Sequence, residues 1–139
     1  MQDGTFPAPG HLGETRPPRG NAYARDCPTR QLLDRIGDKW STLILLLLGE
    51  GEMRFSVLKR RIDGVSQKML SQTLRSLERD GLVTRAAEAT VPVTVTYGIT
   101  PLGRELLSAM RLMIDWAETH MADVQAAQGR FDARIATAH

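Results

Sequence analysis

Cysteine is nearly missing from this chain of 139 residues. Only Cys27 is present, which excludes a disulfide within the chain. Histidine is almost as scarce: His11, His120 and His139 lie too far apart for metal-ligand spacing, so neither a metal nor a cofactor is expected. Neither a glycine-rich phosphate loop nor a nucleophile elbow occurs, and no enzymatic role is expected. Aromatic residues make up only 5%, so a core has to be built from Leu, Ile, Val and Met. Long apolar runs are lacking too. Leu43 to Leu48 spans six residues where a bilayer needs roughly 20, and the first 26 residues hold no apolar stretch of the kind an export signal needs. A cytoplasmic protein of about one domain, with no membrane partner, is expected.

Net charge is only +2, but it is unevenly placed. Between Arg54 and Arg85 eight basic residues stand against three acidic ones, a net of +5, which leaves −3 for the other 107 residues. A concentrated positive segment suits the phosphates of a nucleic acid.

Within that segment lies the most informative stretch, Ser66 to Gly81. Leu70, Leu74 and Leu77 recur at helical spacing and form an apolar stripe. Lys68, Ser71, Gln72, Arg75 and Arg79 recur on the other side with amide, hydroxyl and guanidinium groups, the set that meets base edges and phosphates in a major groove. The bland alternative is a helix whose polar face only meets water. With Gln67 and Arg85 added, the DNA-facing set is Gln67, Lys68, Ser71, Gln72, Arg75, Arg79 and Arg85. Gln72 and Arg75 suit bidentate contact with adenine and guanine, and Lys68, Arg79 and Arg85 suit phosphates.

The rest of the chain frames this helix. Residues 1–26, with four prolines and no periodicity, read as a disordered tail. A first helix is predicted from Cys27-Pro28 to Gly37, with Leu32, Leu33 and Ile36 on its apolar edge. A second runs from Lys39 to Leu48, with Trp40, Leu43, Ile44, Leu47 and Leu48 buried. Trp40 also suits the wall of an effector pocket. Arg54-Phe55 reads as a very short strand, and Phe55, Val57, Leu58 and Ile62 as a brief third helix closed by Asp63-Gly64. Its Arg60 and Arg61 suit either phosphates or water. Ser66 is the N-cap of the fourth helix and Gly81 its C-cap; helices three and four then make a helix-turn-helix. Leu82–Ala87 and Val93–Ile99 read as an antiparallel hairpin, a wing with Pro92 near its tip.

Thr100 and Pro101 open a fifth helix whose apolar face is broader than a small domain needs. Leu106, Met110, Met113, Ile114, Trp116 and Met121 are the expected interface with a second copy, the alternative being a helix folded onto its own core. Gly129 is expected to break this helix, leaving 126–139 as a separate C-terminal segment after a domain over 27–125. The fold class is mainly α with a small β-hairpin, a winged helix-turn-helix dimerising through its terminal helices.

Across Cys27 to Trp116 the chain resembles the HxlR-type family of bacterial winged helix-turn-helix transcriptional regulators, relatives of the MarR type. The resemblance lies in Cys27-Pro28, Ile36-Gly-Asp-Lys-Trp40, Arg54-Phe-Ser-Val-Leu58, Ser66-Gln-Lys-Met-Leu-Ser-Gln-Thr-Leu74, Leu77-Glu-Arg-Asp-Gly-Leu-Val83, Pro92, Tyr97 and Thr100-Pro-Leu-Gly103. It implies a homodimer on double-stranded operator DNA, one recognition helix per half-site of a pseudopalindrome, and repression as the usual outcome. It also implies an oxidant or small-molecule effector, since some members sense oxidants or electrophiles through a cysteine at the position of Cys27. A helix start favours thiolate, with Arg25 and Arg30 nearby and Asp26 opposing; the alternative is a small, partly buried apolar residue. The wing departs from the family. Where members often carry Pro-Pro-Arg-Val-Glu-Tyr, this chain has Val91-Pro-Val-Thr-Val-Thr-Tyr97, with no positive charge at the tip. Two rivals share the same elements: a winged-helix protein-interaction module, and a DNA binder without sequence preference.

Overall fold

The computed structural model describes residues 20–138; most of the expected N-terminal tail lies outside them. The chain divides into two units, one ending at Arg35 and one starting at Ile36. In the first, Asn21–Asp26 is a run of turns closed by Ala24 N–H to Asn21 O and Cys27 N–H to Ala24 O. Helix α1 follows (Pro28–Ile36), with proline at its first position.

The second unit begins with α2 (Lys39–Leu48), capped by Asp38, whose carboxylate accepts from the Ser41 N–H. Strand β1 (Met53–Arg54) leads into α3 (Phe55–Arg61) and then α4 (Gln67–Arg79). Ser66 caps α4 by accepting from Met69 N–H at 3.0 Å. The far end of α4 closes in a Schellman motif. Gly81 N–H reaches Glu78 O and Leu82 N–H reaches Leu77 O, with Gly81 at φ +78°, where a side chain would be strained. Leu77 and Leu82, joined by that bond, both sit in the core.

Strands β2 (Val83–Glu88) and β3 (Thr94–Ile99) form the wing, and β1 adds to the other edge of β3. The sheet is antiparallel in the order β1-β3-β2, with Met53 opposite Tyr97 and Arg85 opposite Tyr97 on the other side. The predicted short strand is thus displaced by one residue, because Phe55 is taken up by α3.

Two expectations about burial are corrected. In α2 the buried residues are Ser41, Ile44, Leu45 and Leu48, whereas Leu43 is exposed and Trp40 and Leu47 are half-buried. Six consecutive apolar residues leave no periodicity to select a face, so packing against α4 and α5 (Pro101–Ala138) sets the rotation. In α5, Met110 is 1% exposed within the protomer's own core, beside Leu107, and Leu106 packs against the same core. Met110 is therefore not available to a second copy.

Helix α5 also runs straight through Gly129. Its 38 residues extend about 57 Å. A glycine inside an exposed helix costs only about 1 kcal/mol relative to alanine, too little to stop a helix with good formers on both sides. Residues 126–138 thus continue α5.

Candidate nucleic-acid interface

Helix α4 is divided as its spacing demands. Leu70, Leu74 and Leu77 are buried in the core with Thr73, whose hydroxyl donates to Met69 O at 2.8 Å. Gln67, Lys68, Ser71, Gln72, Arg75 and Arg79 are all exposed on the opposite side. Because the leucines anchor the helix, its rotation about its own axis is set, and the polar row is held outward as one surface. Arg85 is exposed on β2, near the root of the wing.

The turn between α3 and α4 uses Gly64 at φ +87° and buries Val65, which holds the two helices in register. Lys59, Arg60 and Arg61 end α3 and are exposed. Arg61 makes an ion pair with Glu50 at 3.7 Å, which directs it toward the loop after α2. Trp40 packs on the edge of the core, with the Lys39 ammonium 4.6 Å from its ring centroid.

At the wing tip, Thr90 Oγ1 donates to Pro92 O at 2.7 Å and lies 3.1 Å from Thr94 Oγ1, so the turn is braced. Val91 and Val93 project into solvent there. The only charged side chain from Ala86 to Ile99 is Glu88.

Cys27 is 9% exposed, at the entry to α1. Desolvation pushes its thiol up, but the backbone N–H of Thr29, that of Arg30, the Thr29 hydroxyl and the backbone of Asn21 together outweigh it and hold the thiol below its usual value. Arg30, expected from sequence to help through its charge, donates its guanidinium to Tyr23 O at 3.2 Å. The local N–H groups of the first turn do the work assigned to the dipole.

Beyond Met110, no residue of α5 up to Ala138 is buried. Met113, Trp116 and Met121 are exposed and Ile114 is half-buried. Trp116 stacks on His120 at 4.6 Å, and His120 Nδ1 lies 2.8 Å from Trp116 O. Among the described residues no helix is long and apolar enough to cross a membrane.

Known proteins share this arrangement. The family model described as HxlR-like helix-turn-helix matches residues 35–125. The uncharacterized HTH-type transcriptional regulator YtfH of Escherichia coli (strain K12) is 44% identical over 107 residues, covering 77% of this chain and 85% of that protein. The solved structure of the ytfH transcriptional regulator from Salmonella typhimurium superposes with a TM-score of 0.75 at 40% identity, over 79% of this chain and 98% of that one. The redox regulator HypR in its reduced form gives 0.66 at 33% identity, over 71% and 98%.

Proposed function

The chain belongs to the HxlR-like helix-turn-helix family of DNA-binding transcriptional regulators, and on that premise we propose that it is a sequence-specific repressor, acting in the cytoplasm as a homodimer on a pseudopalindromic operator. One observation carries this reading: α4 spends its leucines on the core and presents Gln67, Lys68, Ser71, Gln72, Arg75 and Arg79 together on the outside. Gln72 and Arg75 are the base readers, and Lys68, Arg79 and Arg85 bind phosphates. The exposed and half-buried apolar residues of α5 support a dimer through Met113, Ile114, Trp116 and Met121. A long helix with no buried residue beyond Met110 among the described residues draws little stability from propensity alone.

The test is fluorescence-anisotropy binding to upstream DNA at two salt concentrations, with a mixed-sequence duplex as the competitor. Selective binding that falls steeply with salt is the expected result. Binding that ignores sequence would replace the repressor reading with a non-specific one, and no binding would favour a protein-interaction module. In the same assay Arg75→Ala is expected to lose roughly 1–3 kcal/mol and to relax preference at one operator position. An unchanged operator affinity would remove Arg75 from the reading set.

A redox response through Cys27 is part of the proposal. The N–H groups that lower its thiol and the likeness to a redox regulator support it. Because the thiol sits below its ordinary value, thiolate persists to lower pH than in a free cysteine. The alkylation rate of Cys27 by iodoacetamide is therefore expected to rise at lower pH than that of a model thiol. Mild oxidant is expected to release the wild type from its operator and to leave Cys27→Ser bound. Equal release of both proteins would end the assignment.

A further inference from the structure

We propose that the groove between α3 and the wing is a DNA phosphate site, with Arg54 as its cation. The inference rests on the chain's binding DNA and is independent of the operator and repressor parts of the reading above.

The groove is an open depression of about 400 Å³, bounded by Arg54, Phe55 and Ser56 on one side and by Val93, Thr94, Val95 and Tyr97 of the wing on the other. Its donors suit a phosphodiester: the guanidinium of Arg54 and the hydroxyl of Ser56. The sheet register sets which way Arg54 turns. Arg54 pairs with Thr96 and Met53 with buried Tyr97. Alternation along the strand therefore turns Tyr97 and Met53 inward and Arg54, Thr94 and Thr96 outward. Arg54 is exposed, and among the described residues no carboxylate lies within ion-pair distance of its guanidinium, in contrast to Arg61 with its Glu50 partner. An unpaired cation that lines, together with the Ser56 hydroxyl, a depression large enough for a phosphate group matches an anion in charge and shape.

The wing supplies the remaining reason. Its tip carries Val91 and Val93 in place of a cation, so it has no charge with which to hold the DNA backbone. Two positive groups stand instead at its base, Arg85 on β2 and Arg54 on β1. A phosphate bound there fixes the protein's register on the duplex without reading sequence.

The experiment compares wild type, Arg54→Gln and Ser56→Ala on an operator duplex and on a mixed-sequence duplex across a salt series. Arg54→Gln is expected to weaken both by a similar factor, about tenfold, and to make the plot of log K against log salt shallower by about 0.9, the value of one phosphate. Ser56→Ala is expected to weaken both a few-fold with no change of slope, because it removes a hydrogen bond and no charge. A scan of duplexes with single neutral methylphosphonate linkages then locates the phosphate. One position is expected to weaken the wild type and to leave Arg54→Gln unaffected. Wild-type affinity and slope in Arg54→Gln, or a methylphosphonate loss that is the same in both proteins at every position, would overturn the site. Absence of operator preference in the wild type would defeat the operator reading and leave this comparison intact.

Discussion

Gly103→Ala is expected to destabilise the protein by about 3 kcal/mol or more, a large part of the 5–15 kcal/mol that holds a domain folded. A Cβ at residue 103 falls directly on the carbonyl oxygen of Leu82, and lies 2.8 Å from Ile99 Cγ1 and 3.1 Å from the Leu82 carbonyl carbon. That carbonyl cannot easily move aside, since it accepts the Thr100 N–H at 3.1 Å. Thr100 ties the same junction twice more. Its hydroxyl donates to Gly81 O at 2.6 Å and accepts from Gly103 N–H at 3.0 Å. Helix α5 would have to lift off the end of α4, taking Leu107 and Met110 out of the core. The urea unfolding midpoint measures the loss, and a wild-type midpoint would show that the junction relaxes freely. Gly129→Ala, on the same helix with nothing within 4 Å of its Cβ, is expected to change stability in the opposite sense, by up to about 1 kcal/mol.

Met113→Asp is expected to leave the protomer folded and to separate the proposed dimer. Met113 is 57% exposed in the protomer, so a carboxylate there meets water at little cost. Across an interface of α5 with a second copy the same carboxylate is buried without a partner, a penalty of about 3–5 kcal/mol, which raises the dimer dissociation constant at least a hundredfold. Operator affinity should fall with it, because a lone protomer engages one half-site. Sedimentation velocity reads the mass, and anisotropy on whole and half operators reads the consequence. A variant with the mass and operator affinity of the wild type would place the interface elsewhere. Met110→Asp separates burial within the protomer from burial between copies: it puts a charge into the protomer's own core and should unfold the chain.

Local rules made much of this protein readable in advance. The Ser66 cap, the 3.6-residue leucine stripe and the Gly81 stop all act within a few residues, so α4 and the outward row from Gln67 to Arg79 could be drawn from spacing alone. Thr100-Pro101 marked the start of α5 in the same way. The apolar breadth of α5 raised the expectation of a covered face, but a stripe says nothing about what covers it; Met110 went to the protomer's own core while Met113 stayed outside. Leu43 and Leu45 carry the same hydropathy within one apolar run, and only packing against α4 and α5 told the exposed one from the buried one.

Pairing between distant segments lay beyond local reading altogether. Strand β1 is two residues long and exists because β3, some forty residues later, offers it an edge; that pairing in turn sets Arg54 opposite Thr96. Gly103 could be seen in sequence as part of a motif, yet the reason for it, the Leu82 carbonyl where a side chain would stand, belongs to an approach of two chain segments. The sequence by itself determined the helices, their caps and the chemistry of their faces, because those depend on neighbours three or four residues away. Tertiary structure alone decided which apolar face is inside, where the third strand pairs and which groove Arg54 lines, because those depend on contacts between residues far apart in the chain.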